Sequence, residues 1–74
     1  MLGKVIKDYM KENGIKQQFI AEEIGTTPQT LGAMLNGQRK IEATEYFNIC
    51  KALKVDISYF AIKIGVINAE ATTA

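Results

Sequence analysis

The sequence predicts an all-α fold of five short helices in one small domain. Apolar residues recur at intervals of three and four in five separate stretches, the pattern of helices that bury one face. Between those stretches stand Gly14, Gly25, Thr26-Thr27-Pro28, Asn36-Gly37 and Asp56, residue types that stop helices or cap their first turns. The 74 residues fall below the roughly 100 to 200 usual for a domain, and 47% hydrophobic with 23% charged residues is the composition of a folded globular chain. A chain this short buries only about 60% of its unfolded surface, so association with a partner subunit or a ligand is expected.

Leu2, Val5, Ile6, Tyr9 and Met10 occupy one face of a first helix that Gly14 stops. The second, Gln17 to Ile24, turns Ile20, Ala21 and Ile24 inward and Glu22 and Glu23 outward before Gly25. A threonine oxygen can cap free amides, and proline suits the first helical position, so Thr26-Thr27-Pro28 reads as a fresh start. The third helix, about Pro28 to Leu35, points Leu31, Met34 and Leu35 inward and ends at Asn36-Gly37. A basic loop holding Arg39 and Lys40 follows. The fourth, roughly Ala43 to Lys54, aligns Tyr46, Ile49, Cys50 and Leu53. Asp56 caps a fifth, with Ile57, Phe60, Ala61 and Ile64 on one stripe and Gly65 as its stop. Residues 1–65 thus form the domain, and residues 66–74 a short tail that is frayed or part of a dimer contact.

Composition removes much chemistry. There is no histidine, one cysteine (Cys50) and one serine (Ser58), so neither a Cys/His zinc site nor a Ser/His/Asp triad fits in one chain. No phosphate-binding glycine motif is present, and Glu22 and Glu23 diverge as helical neighbours, which leaves a solvated face rather than a catalytic pair. No catalytic or metal-ligating residue, no metal and no cofactor is expected. A lone cysteine permits no internal disulfide and fits a reducing compartment, the cytoplasm by default. No apolar run approaches the ~18 residues that span a bilayer, so no membrane partner is expected. Nine basic against eight acidic residues give a net charge of +1. A polyanion would therefore have to be met by local clustering.

The informative stretch is Gln17 to Asn36. A helix-turn-helix needs a small residue where the second helix crosses the first, here Ala21, and a turn residue tolerating positive φ, here Gly25. Ile20, Ile24, Leu31 and Met34 are the apolar anchors that fix the crossing. The chain resembles the phage Cro and repressor class, the lambda-repressor-like or XRE family of helix-turn-helix DNA-binding proteins. The likeness runs without a gap from about Ile6 to Ala61, about three quarters of the chain. It passes through Ile6-Lys7, Asn13-Gly14-Ile15, Gln17, Ile20-Ala21-Glu22, Ile24-Gly25, Asn36-Gly37, Arg39-Lys40 and Lys51-Ala52-Leu53. Residues Ile24 to Leu31 are especially similar to the turn and recognition helix of lambdoid phage repressors.

The resemblance implies sequence-specific binding to double-stranded DNA, as a homodimer on a two-fold operator, with the third helix in the major groove. It assigns Gln17 to a phosphate and to bracing the recognition helix. Thr27, Thr30, Asn36, Arg39 and Lys40 fall to sugar-phosphate contact, and Pro28, Gln29, Gly32 and Ala33 to base contact. Gln29 is the best reader, since its amide can pair with adenine N6 and N7. Ala33 and the Pro28 ring suit a thymine methyl, whereas Gly32 only lets the backbone come close. Taken singly, the polar residues among these suit an ordinary solvated face; their joint placement points to DNA.

Three departures stand out. The recognition helix is poor in polar readers, which shifts weight to shape readout. Met10 and Leu35 stand where many relatives pair an arginine with a glutamate, and an apolar contact is expected there. Ile62, Ile64, Val66 and Ile67 exceed what a five-helix core absorbs and, with Tyr59, suggest a dimer interface, helical or extended. Tyr9, Tyr46, Phe47 and Phe60 are expected in the core, as is Cys50, a small hydrophobe there. The rival reading is a protein-interaction module of the same fold, antitoxin-like or anti-repressor, with little DNA specificity.

Overall fold

The computed structural model describes residues 2–65, and among them the chain is all-helical. The elements are α1 (Leu2–Glu12), α2 (Gln17–Ile24), α3 (Pro28–Leu35), α4 (Ala43–Leu53) and α5 (Ser58–Lys63). Each of the five expected helices is present. The expected tail 66–74, including Val66 and Ile67, lies outside the described residues, and no helix among those described is long and apolar enough to cross a membrane.

One core holds the helices together. Ile6 and Met10 from α1, Ile20 and Ala21 from α2, Leu31, Met34 and Leu35 from α3, Ile49, Cys50 and Leu53 from α4, and Phe60 from α5 are all buried. These are the residues that helical spacing turns inward, so burial of one stripe per helix supplies the driving force. Met10 and Leu35 are each only 2% exposed, both within this core. Burial pushes the Cys50 thiol above its ordinary range, so it stays protonated among hydrophobes. Helix α2 packs on α3 and α4, and α1 packs on α3 and α5.

Helix α1 approaches α3 more closely than any spacing rule foretells. Gly3 is buried against the carbonyl end of α3, where a Cβ would lie 2.6 Å from both the Met34 and the Leu35 oxygens. Only hydrogen fits there.

At the other end of the bundle two expectations fail. Phe47 was expected in the core and is 49% exposed. The buried stripe of α4 is carried by Ile49, Cys50 and Leu53, with Tyr46 at its margin, and a residue one step beyond Tyr46 is rotated about 100° away. Ile57 was expected on the stripe of α5 and is 51% exposed. The Asp56 carboxylate accepts the Ser58 amide (2.9 Å) and hydroxyl (2.7 Å), which starts the helix at Ser58 and leaves Ile57 in the turn. The Tyr46 hydroxyl donates to the Ile57 carbonyl and ties that turn to α4. Burial, then the neighbouring Cys50 thiol, pushes the phenol up to about 12, so it remains a neutral donor.

Tyr59 stands edge-on to Tyr9 and to Phe60, with ring centroids 5.4 and 5.1 Å away, and the Lys63 ammonium lies 5.1 Å from its ring centre. Its ring is thus half-buried within its own chain, while Ile62 beside it is exposed and Ile64 half-buried.

Candidate nucleic-acid interface

The turn between α2 and α3 is set by a few residues. Gly25 closes α2 in the left-handed region, at φ 76°, where its amide donates to the Glu22 carbonyl at 3.2 Å. A side chain there would be strained, which is why glycine occupies the turn. The Thr26 amide also donates to Ala21, at 2.8 Å, and Ala21 itself is wholly buried where the helices cross.

Thr27 then starts α3. Its hydroxyl oxygen accepts the Thr30 amide at 3.1 Å and donates to the Thr30 hydroxyl at 3.0 Å, with Pro28 in the first turn. Leu31, Met34 and Leu35 are buried, which leaves the opposite side of α3 facing outward. Pro28, Gln29, Gly32, Ala33 and Asn36 share that side, within an arc of about 140° at 100° per residue. Pro28, Gln29 and Asn36 are exposed, and Gly32 and Ala33 half-buried. The four residues assigned to base contact therefore lie together. Thr30 stands off this arc, half-buried and bonded to Thr27.

Gln17 leads α2 and reaches across to α3. A Cβ on Gly32 would lie 3.5 Å from its Nε2, so the carboxamide rests over the middle of α3. After α3 the chain folds back, with the Gln38 and Arg39 amides donating to the Ala33 carbonyl at 2.8 and 3.2 Å. This holds Arg39 and Lys40 beside the C-terminal end of α3.

Arg39 is not a simple cation. Its guanidinium grips Glu45 with two nitrogens, Nη1 to Oε1 at 3.1 Å and Nη2 to Oε2 at 2.9 Å. Glu45 Oε1 also accepts the Glu42 amide at the start of α4, at 2.9 Å. The pair raises the arginine further and, through the hydrogen bond from Arg39 and then that from Glu42, holds the Glu45 carboxyl below its ordinary range. Glu45 thus offsets part of the charge on Arg39.

The same shift gives an acid dependence. A carboxyl with a depressed folded pKa contributes stability above its unfolded value, near 4.5 for Glu45, and that contribution is lost as pH falls through the folded value. Asp56, depressed by its bonds from Ser58, acts the same way. Thermal unfolding is expected to move to lower temperature as the pH drops from neutrality to about 3, and Glu45→Gln to shrink that difference by lowering the midpoint at neutral pH. An identical pH profile for the variant would show that the pair contributes nothing.

Sequence reasoning missed one contributor. Lys7 of α1 donates to Asn36 Oδ1 at 3.0 Å across 29 positions of chain, a contact that only the packing of α1 on α3 creates. The α1 spacing identified its buried face but gave no partner for its outer one.

Residues 6–60 match a family model described as Helix-turn-helix. Comparison with curated proteins and with solved structures gave no significant match.

Proposed function

Because the chain belongs to the helix-turn-helix family, of the lambda-repressor and Cro kind, we propose that it is a transcriptional regulator that reads an operator sequence in duplex DNA. It binds a two-fold site as a homodimer, with α3 in the major groove, and acts by occlusion or by recruiting polymerase. The observation that carries this reading is the outward arc of α3, capped by Thr27, on which Pro28, Gln29, Gly32 and Ala33 lie together, with Pro28 and Gln29 exposed among the described residues and the Gln17 carboxamide resting beside Gly32.

Gln29 reads adenine through its amide, Ala33 and Pro28 meet thymine methyls, and Gly32 admits the DNA closely. Gln17, Thr27, Thr30, Asn36, Arg39 and Lys40 hold the sugar-phosphate backbone and set the register. Tyr59, Ile62 and Ile64 supply the described part of the dimer interface. Operation in the cytoplasm, without metal or cofactor, goes with this reading.

Gln29→Ala tests it. The variant is expected to lose about 1 to 3 kcal/mol at one or two operator positions and nothing elsewhere. Affinity is also expected to fall with salt, by about 0.9 in log-log slope for each phosphate neutralised. An unchanged preference profile together with a flat salt dependence would favour an interaction module of the same fold. Phe19, Phe47 and Ile57, each about half exposed, are the observation on that side.

A further inference from the structure

Two clefts meet at the outer face of α1. One, of about 360 Å³, is lined by Lys7, Lys11, Lys16 and Gln17 over Met10 and Ile15. The other, of about 350 Å³, places Lys7 and Lys11 beside Leu35 and Asn36. Lys7 and Lys11 therefore stand between Gln17 and Asn36, the two amides given to phosphate contact. They also bring positive charge to a chain whose net charge is only +1.

Asn36 ends α3, and its backbone amide is already committed to the Gly32 carbonyl at 2.9 Å. Only its side chain is left to meet DNA. A carboxamide presents either an acceptor oxygen or a donor NH2 group, and a phosphate accepts hydrogen bonds but donates none. An Asn36 oxygen turned to the backbone would repel it. The Lys7 ammonium occupies that oxygen at 3.0 Å, which leaves the NH2 group as the face turned away from α1. The same ammonium lies at the C-terminal end of α3, where a positive charge is favoured by the helix dipole. An exposed bond of this kind adds little to stability, so its effect is on orientation.

We infer that Lys7 is a positioning residue for DNA binding: it holds the Asn36 carboxamide with its donor group toward the phosphate, coupling α1 to the clamp at the end of α3. This rests on the duplex-DNA reading above.

The test uses the full chain and a duplex that it recovers from a random pool. Lys7→Met and Asn36→Ala are each expected to weaken binding about threefold to tenfold. The double variant is expected to weaken it by clearly less than the product of the two, because both remove one contact. Lys7→Arg, which keeps a cationic donor, restores most of the affinity, and the thermal midpoints of all four variants stay within a few degrees. Should Lys7→Met fold poorly, Lys7→Gln replaces it in the cycle. Losses that multiply independently, or an unchanged affinity for the Lys7 variant, would overturn the inference and leave the DNA reading standing. Recovery of no duplex by the unaltered chain would remove both.

Discussion

Phe60→Ala is expected to abolish cooperative folding at room temperature. Phe60 is wholly buried, with its ring edge-on to Tyr9 at 5.6 Å and to Tyr59 at 5.1 Å, at the contact where α5 closes on α1. Truncating a buried phenylalanine costs about 3 to 5 kcal/mol. A domain of this length draws only about 3 to 5 kcal/mol from its core, so the loss is comparable with the whole stability. Circular dichroism is expected to show a weakened helical signal and no sharp melting transition. A drop of only a few degrees would mean that α5 is peripheral to the fold.

The same substitution at two glycines is expected to destabilise the fold at one and not at the other. Gly3→Ala puts a methyl group 2.6 Å from two backbone carbonyl oxygens of α3, which cannot rotate away. Helix α1 must lift, at a cost of about 1 to 3 kcal/mol typical of overpacking, which exceeds the ~0.5 to 1 kcal/mol that alanine adds to a helix over glycine. Gly32→Ala meets nothing nearer than the Gln17 amide at 3.5 Å, ordinary contact distance, and so retains most of the propensity gain. For a domain of this size each kcal/mol moves the melting temperature by about 4 to 8 °C. Gly3→Ala is expected to melt earlier and Gly32→Ala at the same temperature or later. Because α1 also holds Lys7 against Asn36, Gly3→Ala should weaken DNA binding as well. A Gly3 variant as stable as the parent would contradict the close approach of α1 to α3.

What the sequence made legible follows from how local each signal is. Ile6, Ile20, Leu31 and Ile49 declare their burial through neighbours three and four positions away. Thr27-Pro28 and Gly25 mark the turn because their backbone requirements are their own. Phe47 is hydrophobic and helical but sits one residue off the inward stripe, and composition pulls the reading toward the core while rotation about the axis decides otherwise. Ile57 fits a periodic stripe on paper, yet the Asp56 carboxylate selects Ser58 as the helix start.

Three contacts around α3 were out of reach. Gly3 against the α3 carbonyls and Lys7 against Asn36 join positions about thirty residues apart. The Arg39–Glu45 pair spans a loop whose path no spacing rule fixes. The first two are long-range packing and the third is an ion pair across a six-residue span, and each bears on how α3 and its flanking cations are held. Base and phosphate contacts are implied by resemblance, and the structure adds the arrangement: one outward arc, the Gln17 carboxamide near Gly32, and an arginine already paired.

Selection of duplexes from a random pool by the full chain tests most directly whether that arc reads DNA. The expected result is enrichment of an inverted repeat whose half-sites lie about 10 to 10.5 base pairs apart, or a multiple of that spacing. Bases under Gln29 should be the most constrained, and the enrichment should relax there alone in Gln29→Ala. A pool that emerges as random as it began, with the protein folded and the selection sensitive to weak binders, would contradict it.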